Sequence, residues 1–346
     1  MRYAEKPTAH SGLVLKTGQV PRPSTGEAVI EVDTAGICGS DLHAYELIPE
    51  YSWVQKLLPV VLGHEVSGVV YDYPDIQLAE SQGLPPIGSR VAVQAAVSCS
   101  RCTQCRLNRP ELCSSRSRLG FERHGGLSTH VTTPVSTLYP IKENVDREAA
   151  SLVEPLTIAL NALRLLPSPV GARATVVGMG AIGLLMTELL IVSGASEIHV
   201  VGTPIDEEIG SFEICKELGA NPHLSNSSTL HHLDASSEIV VNTAGAKSAL
   251  RQSIQFAAPK ASVGAIALGI GTVEVDIDRL VRNEINLIGV YGNRPEHWQD
   301  AVALVNSETV RGSGIVSHWL PLEDADEGFR LLRDGKARKV CITPNE

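Results

Sequence analysis

Residues 178–183 read Gly-Met-Gly-Ala-Ile-Gly, directly after the run Ala-Thr-Val-Val and directly before Leu-Leu-Met-Thr-Glu-Leu-Leu-Ile-Val. No other stretch restricts the fold as strongly. A GxGxxG segment between a strand and a helix turns the chain at Gly178, lets a pyrophosphate approach the backbone at Gly180, and allows close helix packing at Gly183. The helix N-terminus, with the amides of Ala181 and Ile182, is then where phosphates sit. The stretch 174–195 carries a single charge, Glu188, and could pass for a membrane span. Its glycine cluster instead divides it into a buried strand, a turn and a buried helix.

From residue 151 onward, strand candidates (ATVVG, EIHVVG, EIVVNTAG, ASVGAIALG) alternate with helical patterns (AIGLLMTELLIVSG, IGSFEICKELG, KSALRQSIQFA), preceded by the helical LVEPLTIALNALRLL. This alternation predicts an α/β doubly wound parallel sheet over residues 151–290. The first 150 residues differ in texture: EAVIEVDTAG, EVSGVVYD and SRVAVQAAV are short β runs between turn residues, expected to form an antiparallel, barrel-like domain. Residues 291–346 add two helices, at HWQDAVALVN and LEDADEGFRLLRDG, and a final strand at KVCITP. A chain of 346 residues suits two such domains.

Four cysteines fall inside fifteen residues, Cys99-x2-Cys102-x2-Cys105-x7-Cys113. The N-terminal MRYAEKPTAHSG has no apolar run of signal-peptide length, so the chain is expected in a reducing cytoplasm, where structural disulfides are rare. The cluster therefore reads as a metal site. Four thiolates close a tetrahedral shell with no free position, so that metal is structural. Cys215 and Cys341 lack such partners and read as buried thiols. A net charge of -10 argues against a general nucleic-acid partner.

Cys38 in GICGSDLH, with His64 and Glu65 in GHE, supplies a thiolate, an imidazole and a carboxylate. This donor set suits an open catalytic zinc. For the cofactor, the second strand ends in Gly202-Thr203, where an NAD-binding strand carries an acidic residue on the ribose 2′-hydroxyl. Its absence lifts the repulsion against a 2′-phosphate and favours NADP. Asp206, Glu207 and Glu208 follow with no Arg or Lys nearby, and this acidic field favours NAD. The choice stays open, with NAD ahead. Thr243, Leu268, Gly269, Val290 and Tyr291 follow later strands and are expected at the nicotinamide end, or else are plain turn residues.

Taken in order, GICGSDLH, GHEVSGVV, the four-cysteine lobe, VEPLTIALNAL and GMGAIG resemble the zinc-dependent medium-chain alcohol dehydrogenase family over essentially the whole chain. Within it the chain is most similar to the threonine and sorbitol (polyol) branch, through EPLTIALNA and GVYGNR. The resemblance implies a GroES-like catalytic domain over 1–150, completed by 291–346, and a Rossmann domain over 151–290 that together enclose a cleft. It further implies Cys38, His64 and Glu65 at a catalytic zinc, Glu154 as a carboxylate exchanging with Glu65, Ser40 and His43 as a proton relay, and a homodimer or homotetramer. YELIPEYSWVQKLL at 45–58 is expected to form a substrate wall, with Trp53 either wall or packing. Residues 71–90 read as a surface loop insertion.

The expected activity is hydride transfer between a secondary alcohol (polyol, sugar, cyclitol or amino alcohol) and NAD(P). The alternatives are a ketone reductase running the same chemistry backwards and a non-catalytic descendant. Loss of a zinc ligand would favour the last, and none is lost.

Overall fold

The computed structural model describes residues 1–10, 12–269 and 271–346. It divides into one unit of Met1–Glu154, Arg294–Arg311 and Val316–Glu346, and another of Pro155–Asn293 and Gly312–Ile315.

The second unit is built on six parallel strands. Their spatial order is Asn221–Leu224, Glu197–Gly202, Arg173–Val177, Ser237–Asn242, Ala257–Ala265, Asn286–Gly289. Counted along the chain this is third, second, first, fourth, fifth, sixth, the doubly wound order in which ligands bind where the direction reverses. That switch point lies where Gly178 and Thr243 leave adjacent strands. Val176, Val240 and Val241 are fully buried, because a parallel sheet covered on both faces needs apolar runs rather than alternation. The helix Ala181–Val192 is buried along most of its length, and its one carboxylate, Glu188, accepts a hydrogen bond from the Gly312 amide at 3.0 Å. No helix among the described residues is long and apolar enough to cross a membrane.

The first unit is centred on the strand Glu27–Ile37. It pairs antiparallel with Glu65–Asp72, with His130–Pro134 and with the C-terminal strand Val340–Thr343, which in turn runs parallel to His318–Pro321. Ile30, Ile37, Leu62, Leu127 and Phe329 fill its core. The C-terminal strand is thus inserted beside the first long strand of the chain.

Three local features depart from the expectations above. The strands Asn221–Leu224 and Asn286–Gly289 are additional to the four expected ones. Residues 71–90 are not all loop: a helix, Ile76–Ser81, is capped by Asp75, and the buried Tyr73 donates its hydroxyl to the Pro85 carbonyl at 2.7 Å. The stretch IGSFEICKELG becomes helical only at Ser211, because Gly210 takes a left-handed φ of 80°.

A chain ended at Arg338 loses the strand between Glu27–Ile37 and His318–Pro321 and exposes the first core. The expected outcome is aggregation on expression, read from the soluble fraction and circular dichroism; a soluble, native-like product would contradict this packing.

Candidate functional site

Strand register assembles a donor cluster within the first unit. Gly36 lies opposite Glu65, and Ile37 opposite Val340, so the end of the central strand meets the starts of two neighbours. Cys38 follows that strand and caps the helix Gly39–Glu46, while His64 immediately precedes Glu65–Asp72. One donor atom each from Cys38, His64 and Glu65 lie within 4.8 Å of one another. A thiolate, an imidazole and a carboxylate fit Zn²⁺ and leave one tetrahedral position for another ligand.

Asp41 orients this cluster from beneath. Fully buried, it accepts from the Cys38 amide (3.1 Å), the Gly63 amide (3.2 Å) and His64 Nδ1 (3.1 Å). A carboxylate only accepts, so Nδ1 of His64 carries a hydrogen and Nε2 is the nitrogen a metal would take in place of a proton. Burial pushes His64 down, but the charge and hydrogen bond of Asp41, with Cys38 adding to them, hold it well above the ordinary histidine range.

Glu65 is countered by a lysine from the far end of the chain. Lys339, 3% exposed, donates to Glu65 Oε2 and to the Ile37 carbonyl at 3.2 Å. Burial alone lowers a lysine; the Glu65 carboxylate and the Cys38 sulfur reverse this and keep Lys339 charged. Gly36 makes the pair possible. A Cβ there would lie 2.2 Å from Glu65 Oε2 and 3.0 Å from Lys339 Cε.

Glu154 stands in the first turn of the helix Val153–Leu165 and is buried. It lies outside the three-donor cluster but feels His64, Glu65, Lys339 and Asp41; burial chiefly pushes it up to about 7. Ser40 and His43 are one turn apart on the helix Gly39–Glu46, facing the same way. Nδ1 of His43 is buried with no hydrogen-bond partner among the described residues, and burial lowers this imidazole below its ordinary value.

The four-cysteine lobe is a separate cluster. Its base is closed by the pairing of Ala96–Val97 with Ser117–Arg118, and all its cysteines are free. Sulfur separations are 3.5 Å for Cys102–Cys105, 3.8 Å for Cys102–Cys113 and 4.0 Å for Cys99–Cys105. A tetrahedral shell with Zn–S bonds of about 2.3 Å puts sulfurs about 3.8 Å apart. The backbone amides of Cys105 and Ser114 pull Cys102 down to about 6, whereas burial and the adjacent sulfurs push Cys105 up to about 11. Crowded sulfurs of this kind fit a dication.

In the second unit, Gly178 has a φ of 114°, and a Cβ on Gly183 would lie 2.0 Å from the Gly178 carbonyl oxygen. Both are required by the turn itself. Gly180 is different: a Cβ there would meet nothing within 4 Å, so its bareness leaves space for a ligand ahead of the amides of Ala181 and Ile182. Thr243 braces the turn by donating to the carbonyls of Val177 (3.1 Å) and Gly178 (3.2 Å). Gly202 is demanded by packing, since a Cβ would reach within 2.5 Å of Met179 Sδ. Thr203 and Asp206 form a reciprocal cap on the short helix Pro204–Glu208, with Thr203 N and Oγ1 each 2.7 Å from Asp206 Oδ2. Leu268 and Tyr291 are exposed, Gly269 takes a left-handed φ of 78°, and the Val290 side chain is buried. The Tyr291 carbonyl accepts from Asn161 at 3.2 Å.

Residues 24–143 match the alcohol dehydrogenase GroES-like domain, and residues 181–307 match the zinc-binding dehydrogenase domain; the two together span more than two thirds of the chain. The chain belongs to the zinc-binding alcohol dehydrogenase family. The dehydrogenase is 26% identical to L-threonine 3-dehydrogenase of Bacillus licheniformis, over 99% of both chains. It is also 26% identical to sorbitol dehydrogenase of Halalkalibacterium halodurans, over 94% of this chain and 93% of that one. Its fold matches 2R,3R-butanediol dehydrogenase of Bacillus subtilis with a TM-score of 0.84 at 24% identity, over 99% of both.

Sequence reading missed two residues of the dehydrogenase's donor cluster, Asp41 and Lys339. Asp41 had a signal, since it lies three residues after Cys38 on the same helix face. Lys339 had none, because only strand pairing brings it to Glu65. The wall stretch 45–58 forms a 3₁₀ helix, Pro49–Leu57. From it an aromatic arc runs His43–Tyr51 (5.2 Å between ring centroids), Tyr51–Trp53 (6.1 Å), Trp53–Phe121 (5.7 Å) and Phe121–His64 (5.8 Å). Trp53 is packed within this arc, with the Arg118 guanidinium over its ring, 4.5 Å from the centroid.

Two substitutions test these assignments. Lys339→Met strands a buried carboxylate and is expected to lower unfolding stability by about 3–5 kcal/mol, measured by urea denaturation. Gly180→Ala is expected to leave folding intact and weaken dinucleotide binding, whereas Gly183→Ala disrupts the turn. Equal melting and equal cofactor affinity in the two glycine variants would contradict this division.

Proposed function

We propose that the dehydrogenase oxidises a secondary alcohol bearing further polar groups (a polyol, sugar, cyclitol or amino alcohol) with NAD as hydride acceptor, at a zinc held by Cys38, His64 and Glu65. The observation that carries this reading is the convergence of those three donors in a chain whose other unit carries a glycine-rich turn of dinucleotide-binding type. Zinc bound there supplies Lewis-acid charge that favours the alkoxide over the alcohol near neutral pH. The two relatives are named for L-threonine, a secondary alcohol with charged neighbours, and sorbitol, a polyol.

The protein's own residues do the remaining work. Asp41 fixes the His64 tautomer and Lys339 balances Glu65, leaving that carboxylate free to trade between lysine and metal. Glu154, poised at about 7, is the second carboxylate able to take Glu65's place. Ser40 passes the hydroxyl proton to His43. That imidazole is held neutral by burial, and its unpartnered Nδ1 represents about 1–3 kcal/mol of unsatisfied hydrogen bonding that a proton donor recovers. The acidic Asp206, Glu207 and Glu208 next to Gly202-Thr203 disfavour a 2′-phosphate, which makes NAD the preferred cofactor. Cys99, Cys102, Cys105 and Cys113 hold a second zinc whose closed shell serves folding rather than chemistry. The assembly proposed is a homodimer or homotetramer in the cytoplasm. Ketone reduction uses the same groups in reverse.

Cys38→Ser is expected to keep the fold and abolish turnover, whereas Cys102→Ser loses zinc and folds poorly; metal analysis and circular dichroism on both variants separate the two. Two inactive but fully native variants would contradict the division. His43→Ala is expected to slow turnover about 100-fold or more with zinc retained; an unchanged rate across the pH range would exclude the relay. A higher kcat/KM with NADP than with NAD would reverse the cofactor assignment.

A further inference from the structure

Three histidines that neither the dinucleotide turn nor the donor cluster uses come together at the edge of the parallel sheet. His199 lies in the strand Glu197–Gly202, His223 in the edge strand Asn221–Leu224, and His232 in the 3₁₀ turn Ser228–Leu233. Strand pairing sets His199 opposite Asn221 and Val201 opposite His223, so with a side-chain period of two both imidazoles project from one face. One nitrogen from each of the three rings lies within 4.8 Å of the others. The ring centroids are 5.1 Å (199–223), 5.2 Å (223–232) and 6.0 Å (199–232) apart.

The outer nitrogens decide what the inner ones can do. His199 Nε2 faces the Glu197 carboxylate at 3.2 Å, and His232 Nδ1 lies 2.6 Å from the Thr229 carbonyl. Both partners can only accept, so those nitrogens carry the hydrogens. The lone pairs are therefore on His199 Nδ1 and His232 Nε2. His223 Nε2 stands 3.0 Å from His199 Nδ1. Anchoring the far nitrogen on a carboxylate or a carbonyl is the arrangement by which metal-ligating histidines are held. One proton on His223 can satisfy the pair with His199, and the His232 Nε2 lone pair, on an exposed ring, stays open to a further ligand. A metal answers all three.

We propose that His199, His223 and His232 form a further site for a divalent transition cation of the zinc type, separate from both the Cys38 cluster and the four-cysteine lobe. A tetrahedral shell with Zn–N bonds of about 2.0–2.1 Å needs nitrogens about 3.3 Å apart. The 199–223 pair stands close to that spacing, and a nitrogen of the exposed His232 ring lies within 4.8 Å of both. Water takes the fourth position. Burial, together with the neighbouring imidazoles, keeps His223 down at about 4 and His199 below its ordinary value, so both rings are neutral near neutral pH, and the one hydrogen on His223 moves to its Nδ1 when Nε2 binds metal. Glu197, which also pairs with Arg173 at 2.7 Å, supplies the compensating negative charge. Bound metal ties the edge strand to its inner neighbour and to the covering turn, so its effect is on the stability of this corner of the sheet.

The test uses the full-length enzyme without an affinity tag and already loaded with zinc, titrated with additional Zn²⁺ by calorimetry alongside a melting curve. The expected result is one more equivalent bound by the native protein than by His232→Asn, with a rise in melting temperature only in the native protein. His232 is exposed, so this variant is expected to fold; His223→Gln provides a second loss-of-ligand variant. Glu197→Gln is expected to weaken the additional binding by about 10- to 100-fold. Equal stoichiometry and equal melting shifts in the native protein and both ligand variants would overturn the proposal and leave a hydrogen-bonded histidine cluster.

Discussion

A carboxylate and an ammonium buried side by side, Glu65 and Lys339, set the terms for the catalytic unit. Each ion taken alone into the interior costs several kcal/mol, so neither position is tolerable without the other. Their meeting requires three features at once. Gly36 must lack a side chain, the C-terminal strand must return to pair with Glu27–Ile37, and the Ile37 carbonyl must accept a second lysine hydrogen. The same register delivers Cys38 to the end of the central strand and His64 to the start of its neighbour. The donor cluster is thus a consequence of how the sheet closes.

Charge then explains why a dication belongs there. Asp41, Glu65 and Glu154 are all buried, and Glu154 feels the charges of the other two as well as those of His64 and Lys339. Burial chiefly drives Glu154 towards its neutral form, and the charges of Glu65 and Asp41 add to it. The four-cysteine lobe repeats the logic with sulfur: one thiol is drawn towards thiolate by backbone amides while its neighbour is pushed the other way. The two clusters differ in what they leave open. Four sulfurs complete a tetrahedron, whereas Cys38, His64 and Glu65 leave a place for substrate.

Legibility in the sequence followed the range of the interaction. The Gly178–Gly183 turn, the cysteine lobe and the His64-Glu65 pair are local patterns, and each was visible before any fold was known. Ala174–Val177 and Ile239–Val241 were legible strands because burial on both faces enforces apolar runs. Asn221–Leu224 and Asn286–Gly289 were not: they are four residues long, stand at the two edges of the sheet, and the first contains Pro222. Lys339 was invisible because 274 residues separate it from Glu65. Thr243 was read either as a cofactor contact or as a plain turn residue, and its hydroxyl donates to the Val177 and Gly178 carbonyls. A side chain that shapes the cofactor turn and one that touches the cofactor look alike in sequence, since both follow a strand at the switch point.

The most direct test of the account is an anomalous difference map of the crystalline enzyme collected at the zinc edge. The account predicts a peak about 2.0–2.3 Å from Cys38 Sγ, His64 Nε2 and a Glu65 or Glu154 oxygen. A map with density in the four-cysteine lobe and none at Cys38, from crystals of enzyme that turns over alcohol, would contradict it.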